Sequence, residues 1–466
     1  MGGSSETNGA DQPAEASHDA PGEKPLPPSP PGHPVVGNTL DYARDLFGFV
    51  DESVEEVGDV VHVRMLGGDH YVLAHPDYFE RALVTDRDVF VRSADFDIAL
   101  GQSLNAVDGE AWRRQRPIFQ EFFTQSRVRS YTDDMVEVIE RRLETWADGD
   151  TISIHGQMKD VALEILFGAL FDRPLEPGGD EELRWAANSL NEWFKPSSFV
   201  LPDWVPTPAR RRFRKGQTRL RDEAERILAE REREFEAEEG GADGDPETTD
   251  LLSALVRMGR TGSADLTERE IRDQVLGFTF AGHDTTGLTL SFAWHLLASH
   301  PDVREQFYAE LEEVLGVDPP TSEDVDDLEL TRRIVYETQR RHTPVHTIPR
   351  TTTREVELGG YRLPEGSDVH LSVYRVHQDE RFWEEPLTFR PSRWENTSPR
   401  EEGYKYVPFG AGAHSCIGKR FARLEIVLAL ATIGQRYEIE PLSELEFAPE
   451  MTSQPADDLP GKIHAR

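Results

Sequence analysis

The chain has 466 residues, 87 of them acidic and 51 basic, for a formal net charge of −36. That balance excludes electrostatic nucleic-acid binding. The length allows up to about three domains but also fits one large enzyme core. The single cysteine, Cys416, cannot form an intramolecular disulfide and suits a reducing compartment, so a cytoplasmic location is expected. Only seven of the basic residues are lysine, against 44 arginines. An acidic, lysine-poor surface suits concentrated salt, where screening removes the self-repulsion of the compact state, and a halophilic source is expected.

Residues 1 to about 34 are rich in Gly, Ser, Glu and Pro and read as a disordered tail closed by a proline hinge, with no signal peptide. Short β-like runs follow at Val60 to Met65 and His70 to Ala74, and helical periodicity dominates from about 127. Pro196, Pro202, Pro206 and Pro208 mark a loop between two helices. The helix after it, about 208 to 238, carries Arg and Glu at i,i+4 spacing and should face solvent. Gly240 to Asp250 is a connector. A long helix should start at Thr267, whose capping box with Glu270 precedes an apolar run from Val275 to Ala298. Gly277, His283, Asp284 and His295 interrupt that run, so a buried helix is expected and no membrane span. Strand-like pieces return at Glu355 to Leu358 and Val369 to Val373, and the last strong helix covers about Gly418 to Ile433.

The segment from Phe409 to Gly418 is a Gly-rich loop opening a helix. It fails as a phosphate loop: five residues separate Gly412 from Gly418 where four are needed, and Arg420 stands where a Ser or Thr would hold magnesium. What remains is a cysteine just before a helix N-terminus, where backbone N–H groups favour thiolate, or else a small buried hydrophobe. Phe409, Gly412, Cys416 and Gly418 together resemble the haem-ligand loop of the cytochrome P-450 family of haem-thiolate monooxygenases. Trp112 with Arg116, the run Ala281 to Thr286, Glu337 with Arg340, and Phe389 to Trp394 resemble further family motifs in the same order. Glu-x-x-Arg alone carries little weight in so charged a chain, recurring at Glu110/Arg113 and Glu223/Arg226 among others; its position gives it value.

The resemblance implies a mainly α fold with a smaller β-rich region, residues 35–466 forming one domain around haem b. It makes Cys416 the axial thiolate, favouring O–O cleavage, with Phe409 packed beside the sulfur and Gly418 closing the loop. Trp112, Arg116, Arg350 and His414 match positions that neutralise the haem propionates. Ala281 and Gly282 lie on the oxygen-binding helix, Asp284 and Thr285 supply protons for O–O cleavage, and Glu337, Arg340 and Arg393 form a structural charge triad. A structural account of Thr285 also exists: its hydroxyl could bond back to the Ala281 carbonyl and bend the helix. Arg341, His342 and Thr343 depart from the family's apolar pattern, so the core beside the triad should be packed differently.

The substrate pocket implied by the resemblance offers Phe96, Ile98, Leu100, Phe199, Leu201, Phe278, Val345 and Ile348, an apolar set that suits a lipophilic substrate such as a fatty acid, terpenoid or steroid-like molecule. The expected activity inserts one atom of dioxygen into an unactivated C–H bond, in a monomer reduced by a separate acidic ferredoxin that docks on Arg113, Arg114, Lys419, Arg420 and Arg423. Two rivals are a peroxide-driven peroxygenase or isomerase, disfavoured by Asp284 and Thr285, and a haem-based gas or redox sensor, disfavoured by the lack of a visible regulatory domain.

Overall fold

The computed structural model describes residues 24–93, 95–195, 205–238, 250–261, 265–448 and 450–466. The fold is mostly helical, with a smaller β-rich region, as expected. Ten short strands are described: β1 Val60–Val63, β2 His70–Leu73, β3 Phe90–Val91, β4 Thr151–Ser153, β5 Thr347–Thr352, β6 Val356–Leu358, β7 Tyr361–Leu363, β8 Asp368–Ser372, β9 Tyr437–Pro441 and β10 Pro460–Ala465. They form a five-stranded sheet in the order β1-β2-β8-β5-β3, a three-stranded sheet β4-β10-β9 and the hairpin β6-β7. β2 and β8 run parallel, with His70 opposite Asp368 and Val72 opposite His370. β5 and β8 run antiparallel, with Arg350 opposite Val369.

The segment that begins at Lys24 is tied to β7 and β1. The Pro25 carbonyl accepts from Arg362 N at 3.0 Å and the Pro28 carbonyl from His62 N at 2.9 Å, so the chain joins the folded body ahead of residue 35. The acidic connector at 240–249 and most of the proline-marked loop lie outside the described residues, as do Phe199 and Leu201.

Six helices position the site: α1 Gly109–Gln120, α2 Ile154–Phe171, α3 Pro208–Glu238, α4 Glu268–Ser299, α5 Glu329–Arg341 and α6 Lys419–Arg436. The expected capping box opens α4: Thr267 Oγ1 accepts from Glu270 N at 3.2 Å and Glu270 Oε2 accepts from Thr267 N at 2.8 Å. Glu270 also takes the Arg114 guanidinium and Gln115 Nε2. Burial alone would raise its pKa, but these donors hold it down to about 2. α4 is buried along most of its length and packs against α2. The close crossing depends on Gly287, where a Cβ would lie 2.7 Å from Lys159 Cγ and 2.9 Å from Lys159 Cα. None of the described helices is long and apolar enough to cross a membrane.

Candidate active site

The loop before α6 is shaped by its own backbone. Gly410 N donates to Val407 O and Cys416 N to Phe409 O, both at 2.9 Å, while Ser415 N donates to Gly412 O at 3.2 Å. Gly412 has φ +68°, and a Cβ there would come within 2.2 Å of the Leu83 carbonyl oxygen, so no other residue fits. Val407 N donates to His377 Nε2 at 3.0 Å, anchoring the loop on a buried imidazole kept neutral, with its pKa lowered to about 3 by burial and by Arg340. The Arg423 guanidinium lies 5.0 Å from the ring centres of both Phe409 and Tyr336.

Cys416 keeps accessible surface although protein atoms crowd around it. Its thiol feels two opposing influences. Burial pushes its pKa up, and the opposing pull of the Gly418 N–H and of Arg116 does not overcome it. The helix N-terminus alone therefore does not generate thiolate; a cation on the sulfur would.

On the α4 side, only Phe280, Ala281, Gly282 and Thr285 keep surface between Thr279 and Leu290. Phe123 bridges the two walls, its ring 5.7 Å from Phe278 on α4 and 6.3 Å from Phe421 on α6, and next to Gly418. Thr285 Oγ1 donates to the Ala281 carbonyl at 2.7 Å, the back-bond anticipated on structural grounds. Asp284 points elsewhere and is 2 % exposed. Its Oδ1 lies 2.9 Å from Lys159 Nζ, and its Oδ2 accepts from Gln454 Nε2 at 2.8 Å and Thr452 Oγ1 at 3.1 Å. Burial would raise its pKa, yet the charge and hydrogen bond of Lys159 hold it well below the usual carboxylate range. His283 is itself kept neutral, lowered to about 3 by burial and Lys159.

A cationic cluster forms one end of the site. Arg92 Nη2 is 3.1 Å from His414 Nδ1, and His414 Nε2 is 3.2 Å from Asp108 Oδ1. The His414 ring centre is 4.3 Å from that of Trp112, whose buried Nε1 has no hydrogen-bond partner. Arg350 donates to the carbonyl of Pro349 and is lowered to about 10 by burial and Arg92. Arg116 is lowered by burial. Arg92 and Arg350 thus share the Asp108 carboxylate, Arg116 lies toward Cys416, and an indole N–H is left over. Such a donor set fits a dianionic group such as the two propionates of haem, and the accessible Cys416 sulfur fits its iron.

Behind the loop, Glu337 and Arg340 are fully buried and paired through two contacts, Nη2 to Oε1 at 2.8 Å and Nε to Oε2 at 3.0 Å. Arg393 Nε lies 3.4 Å from Glu337 Oε1, and Trp394 Nε1 donates to Oε2 at 3.0 Å. Arg340 also donates to the carbonyls of His377, Pro386 and Thr388. The unusual Arg341 turns aside to the Leu387 carbonyl and Gln378, while His342 packs between Phe292 and Phe447.

Among the expected pocket residues, Leu100 is fully buried and Phe278, flanked by Phe119 and Phe123, is largely buried, so both pack in the core. Phe96, Ile98, Val345 and Ile348 keep accessible surface. Phe194 packs between Phe96 and Phe280 at 5.4 and 5.2 Å. In the basic face, Arg114 is committed to Glu270, whereas Arg113 and Arg420 are exposed. Arg92 and Asp108 carried no motif. Lys159 did leave a signal, as a lysine inside the apolar run of α2.

The family model for cytochrome P-450 matches residues 27–458. Cyclooctat-9-en-7-ol 5-monooxygenase of Streptomyces melanosporofaciens is 32% identical over 92% of this chain and 93% of its own length. Pentalenene oxygenase of Streptomyces avermitilis is 31% identical over 90% of this chain and 93% of its own. The crystal structure of the cytochrome P450DA haem domain superposes with a TM-score of 0.82 at 25% identity, covering 95% of this chain and 98% of that one. With the cysteine loop, the cationic cluster and the buried charge triad in place, the chain belongs to the cytochrome P-450 family, the monooxygenases that hold haem b on a cysteine thiolate.

Proposed function

We propose that this monooxygenase hydroxylates a terpenoid-like lipophilic substrate with dioxygen, reduced by a separate ferredoxin-type donor. The observation that carries the reading is that the relatives include enzymes named for cyclooctatin and pentalenene oxidation, and the apolar residues Phe96, Ile98, Phe280, Val345 and Ile348 each keep accessible surface, as a lipophilic substrate needs. Bound haem, ligated by Cys416, supplies the oxidising chemistry. The protein's own groups hold it and manage protons. Trp112, Arg92, Arg116, Arg350 and His414 offer donors to its carboxylates, and Phe409 keeps water from the sulfur. Exposed Arg113 and Arg420, with Lys419, form the face for an acidic donor. The acid-rich composition supports a monomer working in the cytoplasm of a salt-adapted cell.

Thr285 Oγ1 holds a proton beside the Ala281 carbonyl, and Asp284 with Lys159 forms the buried charged reservoir behind it. Thr285→Ala should keep the haem spectrum and substrate affinity but cut product formed per electron consumed severalfold, with the difference recovered as hydrogen peroxide. Unchanged coupling would make the hydroxyl purely structural. The reading as a whole is tested by incubating the holoenzyme with a ferredoxin system, labelled dioxygen and a panel of cyclic terpenes and fatty acids. One labelled oxygen atom should appear in a terpene product; turnover confined to fatty acids would overturn the substrate class.

A further inference from the structure

A second group of chemistry-bearing side chains lies on the sheet, away from the cysteine loop. The parallel register of β2 and β8 sets His70 opposite Asp368, and the two-residue repeat of a strand brings His370 to the same face. His70 Nδ1 is 2.9 Å from Asp368 Oδ2, and His370 Nε2 is 3.5 Å from Asp368 Oδ1. The two imidazole rings meet edge to face at 4.9 Å. One ligand atom from each of the three residues falls within 4.8 Å of the others. His70 Nδ1 and Asp368 Oδ1 are shut off from solvent, and neither has an aligned hydrogen-bond partner. Both imidazoles thus converge on the Asp368 carboxylate within ion-pair distance.

We propose that His70, Asp368 and His370 form a zinc site that clips β2 to β8. Two imidazole nitrogens and one carboxylate oxygen are a three-ligand set that suits Zn²⁺, whose tetrahedral shell with bonds near 2.0–2.1 Å separates ligand atoms by about 3.3 Å. His70 approaches one carboxylate oxygen at 2.9 Å and His370 the other at 3.5 Å, and with one ligand atom from each residue within 4.8 Å of the rest, small side-chain rotations bring the three to that spacing. A cavity of about 20 Å³ bordered by Tyr42, Val72 and His370 reaches one member of the group and has room for a single water as a fourth ligand. The side chains keep 19–38 % of their surface, which leaves the ion a path in. A sheet would gain most from a clip here, because the joined strands lie about 300 residues apart in sequence.

The test uses full-length holoprotein stripped with chelator, dialysed against micromolar zinc chloride and freed of excess metal. The wild type should retain one more zinc per chain than His70→Gln/His370→Gln, and zinc should raise its melting temperature by about 3 °C at a hundredfold excess over Kd, with magnesium without effect. The double variant should show neither change while keeping the carbon monoxide spectrum of the wild type, which certifies its fold. If it loses that spectrum, Asp368→Asn serves in its place, with zinc affinity expected to fall at least tenfold. Equal zinc content in wild type and a folded variant overturns the site.

Discussion

Replacing Cys416 by alanine should abolish the thiolate-type carbon monoxide spectrum and bring monooxygenase turnover below detection, while the polypeptide still folds. No other thiolate can substitute, because Cys416 is the sole cysteine. The loop that presents it is held by backbone bonds and by the Val407 contact to His377, none of which uses the thiol. Circular dichroism close to that of the wild type together with the lost spectrum is the expected pair of results. A surviving thiolate spectrum would remove the axial role of Cys416. The raised pKa of the free thiol adds a further expectation: in the haem-free protein an alkylating reagent should react slowly at neutral pH and faster as the pH rises, since thiolate is scarce without a cation on the sulfur.

Arg340→Ala should be the most destabilising single change in the molecule outside its apolar core. Glu337 has no exposed surface, and removing its partner leaves a buried carboxylate facing only the indole N–H of Trp394, one backbone N–H from Arg390 and the longer Arg393 contact. Breaking such a pair costs about 3–5 kcal/mol, a large part of a folding stability of roughly 5–15 kcal/mol. Three carbonyls that Arg340 serves lose their donor as well. The half-exposed Arg333 on the same helix, paired with exposed Glu329 and more loosely with Glu395, provides the contrast, and Arg333→Ala should cost only about 0.3–1 kcal/mol. Denaturation midpoints and the yield of haem-bound protein measure both. Similar midpoints for the two variants would show that the triad does not hold this region together.

How far the site was legible depended on whether its determinants were local. The α4 cap at Thr267 and Glu270, the start of α6 after Gly418 and the run from Phe409 to Cys416 are each set by neighbours in the chain, and each lies where its residues indicated. The order of motifs also led to Glu337, Arg340 and Arg393, whose contact spans 56 residues between Glu337 and Arg393. Arg92 and Asp108 gave no such sign, because only the packing of distant segments turns them toward His414. Asp284 looked like an acid awaiting a task. Its bond to Lys159 depends on the helix crossing at Gly287, which nothing in the local pattern reveals. Leu100 and Phe278 were indistinguishable from pocket residues by type, and only the enclosure of their side chains assigns them to the core.

The order β1-β2-β8-β5-β3 places two strands from residues 347–372 between strands from residues 60–91. During synthesis about 255 residues must be added between Val91 and Thr347 before β3 has any neighbour. At roughly 5–20 residues per second this is about 13–50 s, during which β2 and β3 present unpaired edges. The β1-β2 ribbon alone is too small to be stable in the meantime. Refolding from denaturant should accordingly be slow and sensitive to protein concentration, as long-range strand pairing is the last contact to form and the most exposed to capture by another chain. A ribosome stalled anywhere before residue 372 releases a chain with an incomplete β8 and the N-terminal strands still open.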